Sequence, residues 1–217
     1  MALTEYAWPI DWIDRGVADL EGNYQTVLGA EYSLLQSAYD LGVQANAAAR
    51  PLRILDVGCG TGRALRGLAL NTRRQLPGCA IQAVGVNFED FSRRSRSKST
   101  QAAIAGGEIT YLRGDAADLP VCDGSFDLVY EHEMLIHSDG NETIKRFQEM
   151  ERALAPGGRM YFGIYDQPQL APPMRQLKQQ GYRIDGKLWS GRTERSNMVG
   201  KTATRLIFCM DKPTETC

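Results

Sequence analysis

The sequence is poor in the residues that build metal centres. It has only two histidines, His132 and His137, and its five cysteines include no pair with CxxC spacing. Structural zinc sites draw their ligands from such clusters, so we expect no bound metal. The odd number of cysteines favours reduced thiols in a cytoplasmic protein over a disulfide framework.

Long apolar runs and an excess of charge of one sign are also missing. No apolar run approaches the ~20 residues that cross a bilayer, so we expect no membrane partner. The first residues, MALTEYAWPIDWIDR, have no basic start followed by an apolar stretch, so we predict no signal peptide. With 25 basic and 26 acidic residues the net charge is −1, which argues against a nucleic-acid partner.

Apolar, β-rich runs alternate with stretches of helical character from residue 52 onward. The chain has 217 residues, enough for one α/β domain with a full core. We predict strands over 53–57, 81–86, 109–112, 126–130, 159–165, 182–189 and 203–211. We predict helices over 64–75, 88–105, 142–154 and 174–180. Such alternation predicts a doubly wound parallel sheet with helices on both faces.

The first 50 residues differ in character, because they look helical and carry many aromatic side chains. We predict a helical cap or lid over 1–50 and an α/β domain over 51–217. Tyr6, Trp8, Trp12 and Tyr24 could wrap an apolar or cationic small molecule. Alternatively, these rings only cover the helical layer of the sheet.

A glycine-rich turn, DVGCGTG over residues 56–62, follows the first predicted strand. Small residues there let the backbone turn sharply and approach a ligand closely. The dinucleotide pattern GxGxxG fails because Arg63 stands where its last glycine belongs, and the P-loop ending is absent. Asp56 suits a cationic ligand better than a pyrophosphate. S-adenosylmethionine, with its sulfonium and ammonium groups, fits these features, while the alternative is a plain tight turn.

Three segments together resemble class I S-adenosylmethionine-dependent methyltransferases. They are LDVGCGTG (55–62), GDAADLPVCDGSFDLVY (114–130) and LAPGGRM (154–160). The nearest group is the small-molecule branch often called methyltransferase type 11, or the ubiquinone/sterol type. The resemblance covers about residues 52–165 well and the ends loosely.

For residues 51–217, the resemblance implies a class I methyltransferase domain. Its fold would be Rossmann-like α/β, with a mostly parallel seven-stranded sheet, helices on both faces and an antiparallel last strand. The implied reaction transfers a methyl group from S-adenosylmethionine to an O, N or C nucleophile of a small molecule, leaving S-adenosylhomocysteine. We expect a monomer or homodimer.

The resemblance also places a cofactor site at the ends of successive strands. The implied cofactor-binding residues are Asp56, Gly58, Cys59, Gly60, Gly62, Asn87, Phe88, Asp115, Ala116 and Glu131.

Two of these positions carry open alternatives. The family usually has an acid at position 87 to accept hydrogen bonds from both ribose hydroxyls. Asn87 can accept one bond and donate another, Glu89 could substitute for it, or Asn87 could simply cap a helix. Asp115 would accept from the adenine amino group, with the Ala116 N–H reaching a ring nitrogen. The alternative is that Asp115 only shapes a turn.

The segment after the fourth strand, YEHEMLIH, contains both histidines. In the family this segment borders the methyl group, so His132 and His137 are candidate general bases. Alternatively, His137 only packs at the start of the next helix. The segment lacks the Asn/Asp-Pro-Pro-aromatic motif of enzymes that methylate amino groups of DNA. The candidate substrate-binding residues are Tyr6, Trp8, Trp12, Tyr24, His132, His137 and Tyr165.

A basic run, FSRRSRSKST over residues 91–100, offers a further alternative. We interpret it as the exposed face of the second crossover helix, although a basic patch could also attract RNA or an acidic substrate. Two other functions therefore stay open. One is an RNA or protein methyltransferase, and the other is a non-catalytic cofactor-binding partner subunit.

Overall fold

A computed structural model describes residues 33–89, 98–131, 140–165, 171–192 and 202–214. The strands in this part of the chain are β1 (Leu52–Val57), β2 (Ile81–Asn87), β3 (Thr110–Arg113), β4 (Phe126–Glu131), β5 (Leu154–Tyr165), β6 (Arg183–Arg192) and β7 (Thr202–Asp211). The helices are α1 (Leu34–Ala47), α2 (Arg63–Gln75), α3 (Lys98–Ala105), α4 (Gly140–Ala153) and α5 (Ala171–Gln179).

The strands form one seven-stranded sheet in the order β3-β2-β1-β4-β5-β7-β6. The pairs from β3 to β5 are parallel, whereas β7 lies antiparallel between β5 and β6. The predicted mostly parallel sheet with an antiparallel last strand is therefore confirmed. The chain order reverses between β1 and β4, and doubly wound sheets bind ligands at such a switch point.

Helices cover both faces of the sheet, and each face has its own apolar layer. Leu34 and Leu41 of α1 pack with α2 against one face, where Ile54 and Tyr130 are fully buried. Residues of α4, including Phe147, pack on the opposite face. Helix α1 thus shares a core with the strands that follow it. The division into a cap over 1–50 and a domain over 51–217 stays a prediction, since residues 1–32 lie outside the described part.

Three element boundaries differ from the sequence prediction. Residues 88 and 89 form a bend rather than the start of a helix, and the described part of that helix is α3. Helix α5 begins at Ala171, ahead of its two prolines, because the first turn of a helix needs no donor from them. Strand β5 begins at Leu154 and continues through the sequence Pro-Gly-Gly.

No helix in the described ranges is long and apolar enough to cross a bilayer.

Candidate functional site

The turn between β1 and α2 is a series of glycines in left-handed backbone conformations. Gly58, Gly60 and Gly62 have φ angles of 77°, 53° and 72°, a region that other residues adopt only with strain. The amides of Gly58 and Cys59 both donate to the Val86 carbonyl oxygen, at 2.8 and 3.2 Å. These bonds hold the turn against the carboxyl end of β2.

A cleft of about 360 Å³ opens beside this turn. It lies at the carboxyl ends of β1, β2 and β3 and is closed on one side by the start of α4. Its lining residues are Gly58, Val86, Asn87, Phe88, Gly114, Asp115, Ala116, Glu142 and Arg146. The volume is within the ~300–1,000 Å³ range of small-molecule sites.

Five of the predicted cofactor-binding residues line the cleft together: Gly58, Asn87, Phe88, Asp115 and Ala116. The Phe88 side chain is 69% exposed and offers an open aromatic surface at the cleft. The Asp115 carboxylate also accepts the N–H of Ala117 at 2.9 Å. Asp115 therefore makes the turn contact that the sequence offered as an alternative, and lines the cleft as well.

The other predicted cofactor-binding residues do not line the cleft. Cys59, Gly60 and Gly62 form the turn behind it, while Asp56 and Glu131 are buried at the ends of β1 and β4.

Both ends of the Asn87 side chain form hydrogen bonds with backbone groups of the protein itself. Its Oδ1 accepts the Gly60 N–H at 3.3 Å, and its Nδ2 donates to the Glu89 carbonyl oxygen at 2.9 Å. Because residues 88 and 89 form a bend, Asn87 does not cap a helix there.

Two buried acids lie at the ends of neighbouring strands. Burial raises the pKa of Asp56 to about 7; the hydroxyl of Tyr130, donating at 3.0 Å, opposes this rise, and the charge of Glu131 adds to it. Glu131 is fully buried, and its Oε1 accepts the Gly163 N–H at 2.5 Å. A pair of buried carboxyls favours a cation nearby over an anion.

Sequence reasoning missed two charged residues of the site. Glu142 and Arg146 of α4 line the cleft and form an ion pair at 3.4 Å. Their (i, i+4) spacing predicts such a pair, but not which side of the helix faces the cleft. Gly114, the first residue of the predicted adenine segment, also lines the cleft, and a Cβ there would lie only 2.6 Å from the Pro120 side chain.

Several predicted residues lie outside the described part of the chain. These are the candidate bases His132 and His137, the aromatics Tyr6, Trp8, Trp12 and Tyr24, and most of the basic run. Tyr165 ends β5, but the direction of its side chain is not described. Within the described ranges, no group of His, Cys, Asp and Glu is arranged to hold a metal ion.

Known protein families match the chain over the segment that builds the cleft. The family described as "Methyltransferase domain" matches residues 55–162. A sterol 24-C-methyltransferase of Yarrowia lipolytica is 32% identical over 129 residues, which are 59% of this chain and 30% of that protein. An O-methyltransferase of Aspergillus sclerotiorum is 35% identical over 107 residues, 49% of this chain and 37% of that protein. The chain thus spans about a third of these relatives' length.

Solved structures share the fold as well. A magnesium protoporphyrin IX methyltransferase from Synechocystis superposes with a TM-score of 0.54 and 16% identity, covering 95% of this chain and 86% of that one. At this identity, the likeness concerns the fold and not the reaction.

Proposed function

Residues 55–162 place the chain in the methyltransferase-domain family, and on that premise we propose that it is an S-adenosylmethionine-dependent methyltransferase acting on a small molecule. The reaction would move the methyl group to an O, N or C nucleophile and leave S-adenosylhomocysteine. The observation that carries this proposal is the cleft, which gathers residues from three strand ends and the glycine turn.

The cleft residues fit the parts of the cofactor. Asp115 and the Ala116 N–H would hold the adenine, and the exposed ring of Phe88 would stack on it. Gly58 has no side chain to obstruct close approach. The buried acids Asp56 and Glu131 would stabilise the positively charged methionine end of the cofactor from beneath the turn.

The cofactor supplies the activated methyl group, so the protein mainly has to position the acceptor and exclude water. His132 and His137 stay candidate general bases. Substrate contacts stay assigned to Tyr6, Trp8, Trp12, Tyr24, His132, His137 and Tyr165. The sterol and oxygen acceptors named for the two relatives support a small-molecule acceptor.

The proposal includes a cellular location and an oligomeric state. Cys59, Cys79, Cys122 and Cys209 are free thiols in the described part of the chain, which supports a reducing cytoplasmic location. We expect a monomer or homodimer.

Calorimetric titration with S-adenosylhomocysteine tests the cofactor site. We expect the parent protein to bind, and Asp115→Ala to bind about tenfold or more weakly, because a buried adenine donor then lacks its acceptor. Asp40→Ala is the matched control, since Asp40 is an exposed acid of α1. Absence of binding in a folded parent protein would contradict the proposal.

A second assay follows methyl transfer. Labelled S-adenosylmethionine is incubated with a panel of sterols, phenols and amines. Transfer to one class identifies the acceptor, whereas binding without any transfer would favour a non-catalytic partner subunit.

A further inference from the structure

Both polar groups of the Gly60 backbone are held by side chains from neighbouring strands. The N–H donates to Asn87 Oδ1 at 3.3 Å, and the carbonyl oxygen accepts from the Tyr111 hydroxyl at 2.9 Å. Asn87 is the last residue of β2, and Tyr111 lies in β3, the next strand of the sheet. The middle of the glycine turn is therefore fixed from outside the turn.

The same two side chains meet again at Glu89. Asn87 Nδ2 donates to the Glu89 carbonyl oxygen at 2.9 Å, and the Tyr111 hydroxyl lies 3.2 Å from that oxygen. The two contacts tie the bend after β2 to the glycine turn. Phe88, which lines the cleft, lies between Asn87 and Glu89 in the chain.

We propose that Asn87 and Tyr111 form a clamp that positions the glycine turn and the bend after β2 for cofactor binding. The clamp consists of these two side chains and the backbone of Gly60 and Glu89. It rests on the proposed function, because its role is to shape the S-adenosylmethionine cleft before the ligand arrives. Both are positioning residues that act through the turn.

The clamp restrains the middle of a turn whose start is held by the Val86 carbonyl oxygen. A Cβ at Gly60 would meet nothing within 4 Å, so packing does not restrain this residue. Glycine has the freest backbone of all residues, so ordering Gly60 on binding would cost affinity if no other group held it beforehand. Cys59 is restrained differently, since its sulfur packs where a Cβ of Gly85 would come within 2.7 Å.

The clamp also explains why residue 87 is an amide. One end of the side chain must accept from Gly60 and the other must donate to Glu89, and a carboxamide offers both at any pH at which the protein is folded. A carboxylate would place a second oxygen about 2.9 Å from the Glu89 carbonyl oxygen, where the two acceptors repel.

The affinity for S-adenosylhomocysteine, measured by calorimetry, tests the clamp. We expect Tyr111→Phe and Asn87→Ala each to bind about three- to tenfold more weakly, the usual range for one lost neutral hydrogen bond. Because both act on one turn, the double variant should bind about as weakly as the weaker single variant. Tyr182→Phe is the matched control, since that hydroxyl donates to Glu151 and neither residue lines the cleft.

Asn87→Asp separates the clamp from direct ribose binding. A carboxylate offers two acceptors to a ribose diol, so direct binding predicts tighter association. The clamp predicts weaker association than the parent. Tighter binding of Asn87→Asp, unchanged binding of Tyr111→Phe, or losses that multiply in the double variant would each overturn the clamp.

Amide hydrogen exchange at Gly60, measured by NMR without ligand, tests the clamp independently. We expect severalfold faster exchange in Tyr111→Phe, although this substitution leaves the acceptor Asn87 in place. Equal exchange in parent and variant would refute the clamp. A parent protein that binds no S-adenosylhomocysteine would instead refute the proposed function, and exchange would still decide whether the clamp exists.

Discussion

The buried carboxyl of Asp56 predicts that the protein loses stability as the pH rises towards neutrality. Its pKa is raised from 3.8 to about 7, chiefly by burial. Between these two values the folded protein keeps a proton that the unfolded chain has released. The free energy of unfolding therefore falls from about pH 4 to about pH 7, and the full cost is present above pH 7.

The size of this effect follows from the pKa. Each tenfold change in proton affinity is worth about 1.4 kcal/mol, so ionising Asp56 in the folded protein costs about 4 kcal/mol. Asp56→Asn removes this cost and keeps an oxygen that accepts the Tyr130 hydroxyl. Its stability relative to the parent should therefore increase by up to about 4 kcal/mol from pH 4 to pH 8.

Urea unfolding, followed by circular dichroism at constant ionic strength, measures this difference. The contributions of titrating groups that parent and variant share largely cancel in the difference between their unfolding free energies. The Cys59 thiol stays protonated throughout, because burial raises its pKa, with the charge of Asp56 adding to the rise. A stability difference that does not change with pH would refute the raised pKa. In Tyr130→Phe, the fall in unfolding free energy should extend to higher pH, because the hydroxyl that lowers the pKa of Asp56 is gone.

Two further substitutions test the framework of the site. Burial would raise the pKa of Asp127, but hydrogen bonds from Arg53 and Arg50 outweigh it and lower the pKa. Asp127→Asn should therefore cost about 1–3 kcal/mol of unfolding free energy at pH 7, and urea unfolding should show this difference shrinking below about pH 4. Gly85→Ala should weaken S-adenosylhomocysteine binding by pushing Cys59 and the turn away from β2, and adding Cys59→Ala should restore it in part, because the sulfur contact at 2.7 Å is removed while the Cys59 Cβ stays at 3.0 Å. No recovery in that double variant would contradict the packing argument.

The strand-to-helix turn at residues 56–62 could be recognised from sequence because its signal is local. Positive φ angles select glycine, and the strand before the turn is an apolar run bounded by it. The same holds for β1, β2 and β4, whose apolar runs are buried within the sheet. Element ends were less predictable, as α5 shows, because prolines fit its first turn.

Contacts between distant residues could not be predicted in this way. The pKa of Asp56 depends on Tyr130, which lies 74 residues further along the chain. Glu142 and Arg146 reach the cleft only because α4 packs with one particular side against the sheet. The apolar spacing of α4 indicates which side faces the sheet, but not that its first turns reach the cleft.

By itself, the sequence determined the α/β fold and the glycine turn, since each depends on residue types at short, regular spacing. Only the tertiary structure shows which groups the Asn87 side chain contacts. Its side chain could accept from a ribose, cap a helix or hold the backbone, and all three are compatible with an amide at the end of a strand. The position of Gly60 and the bend at Glu89, set by parallel pairing of β1, β2 and β3, bring the backbone partners within reach.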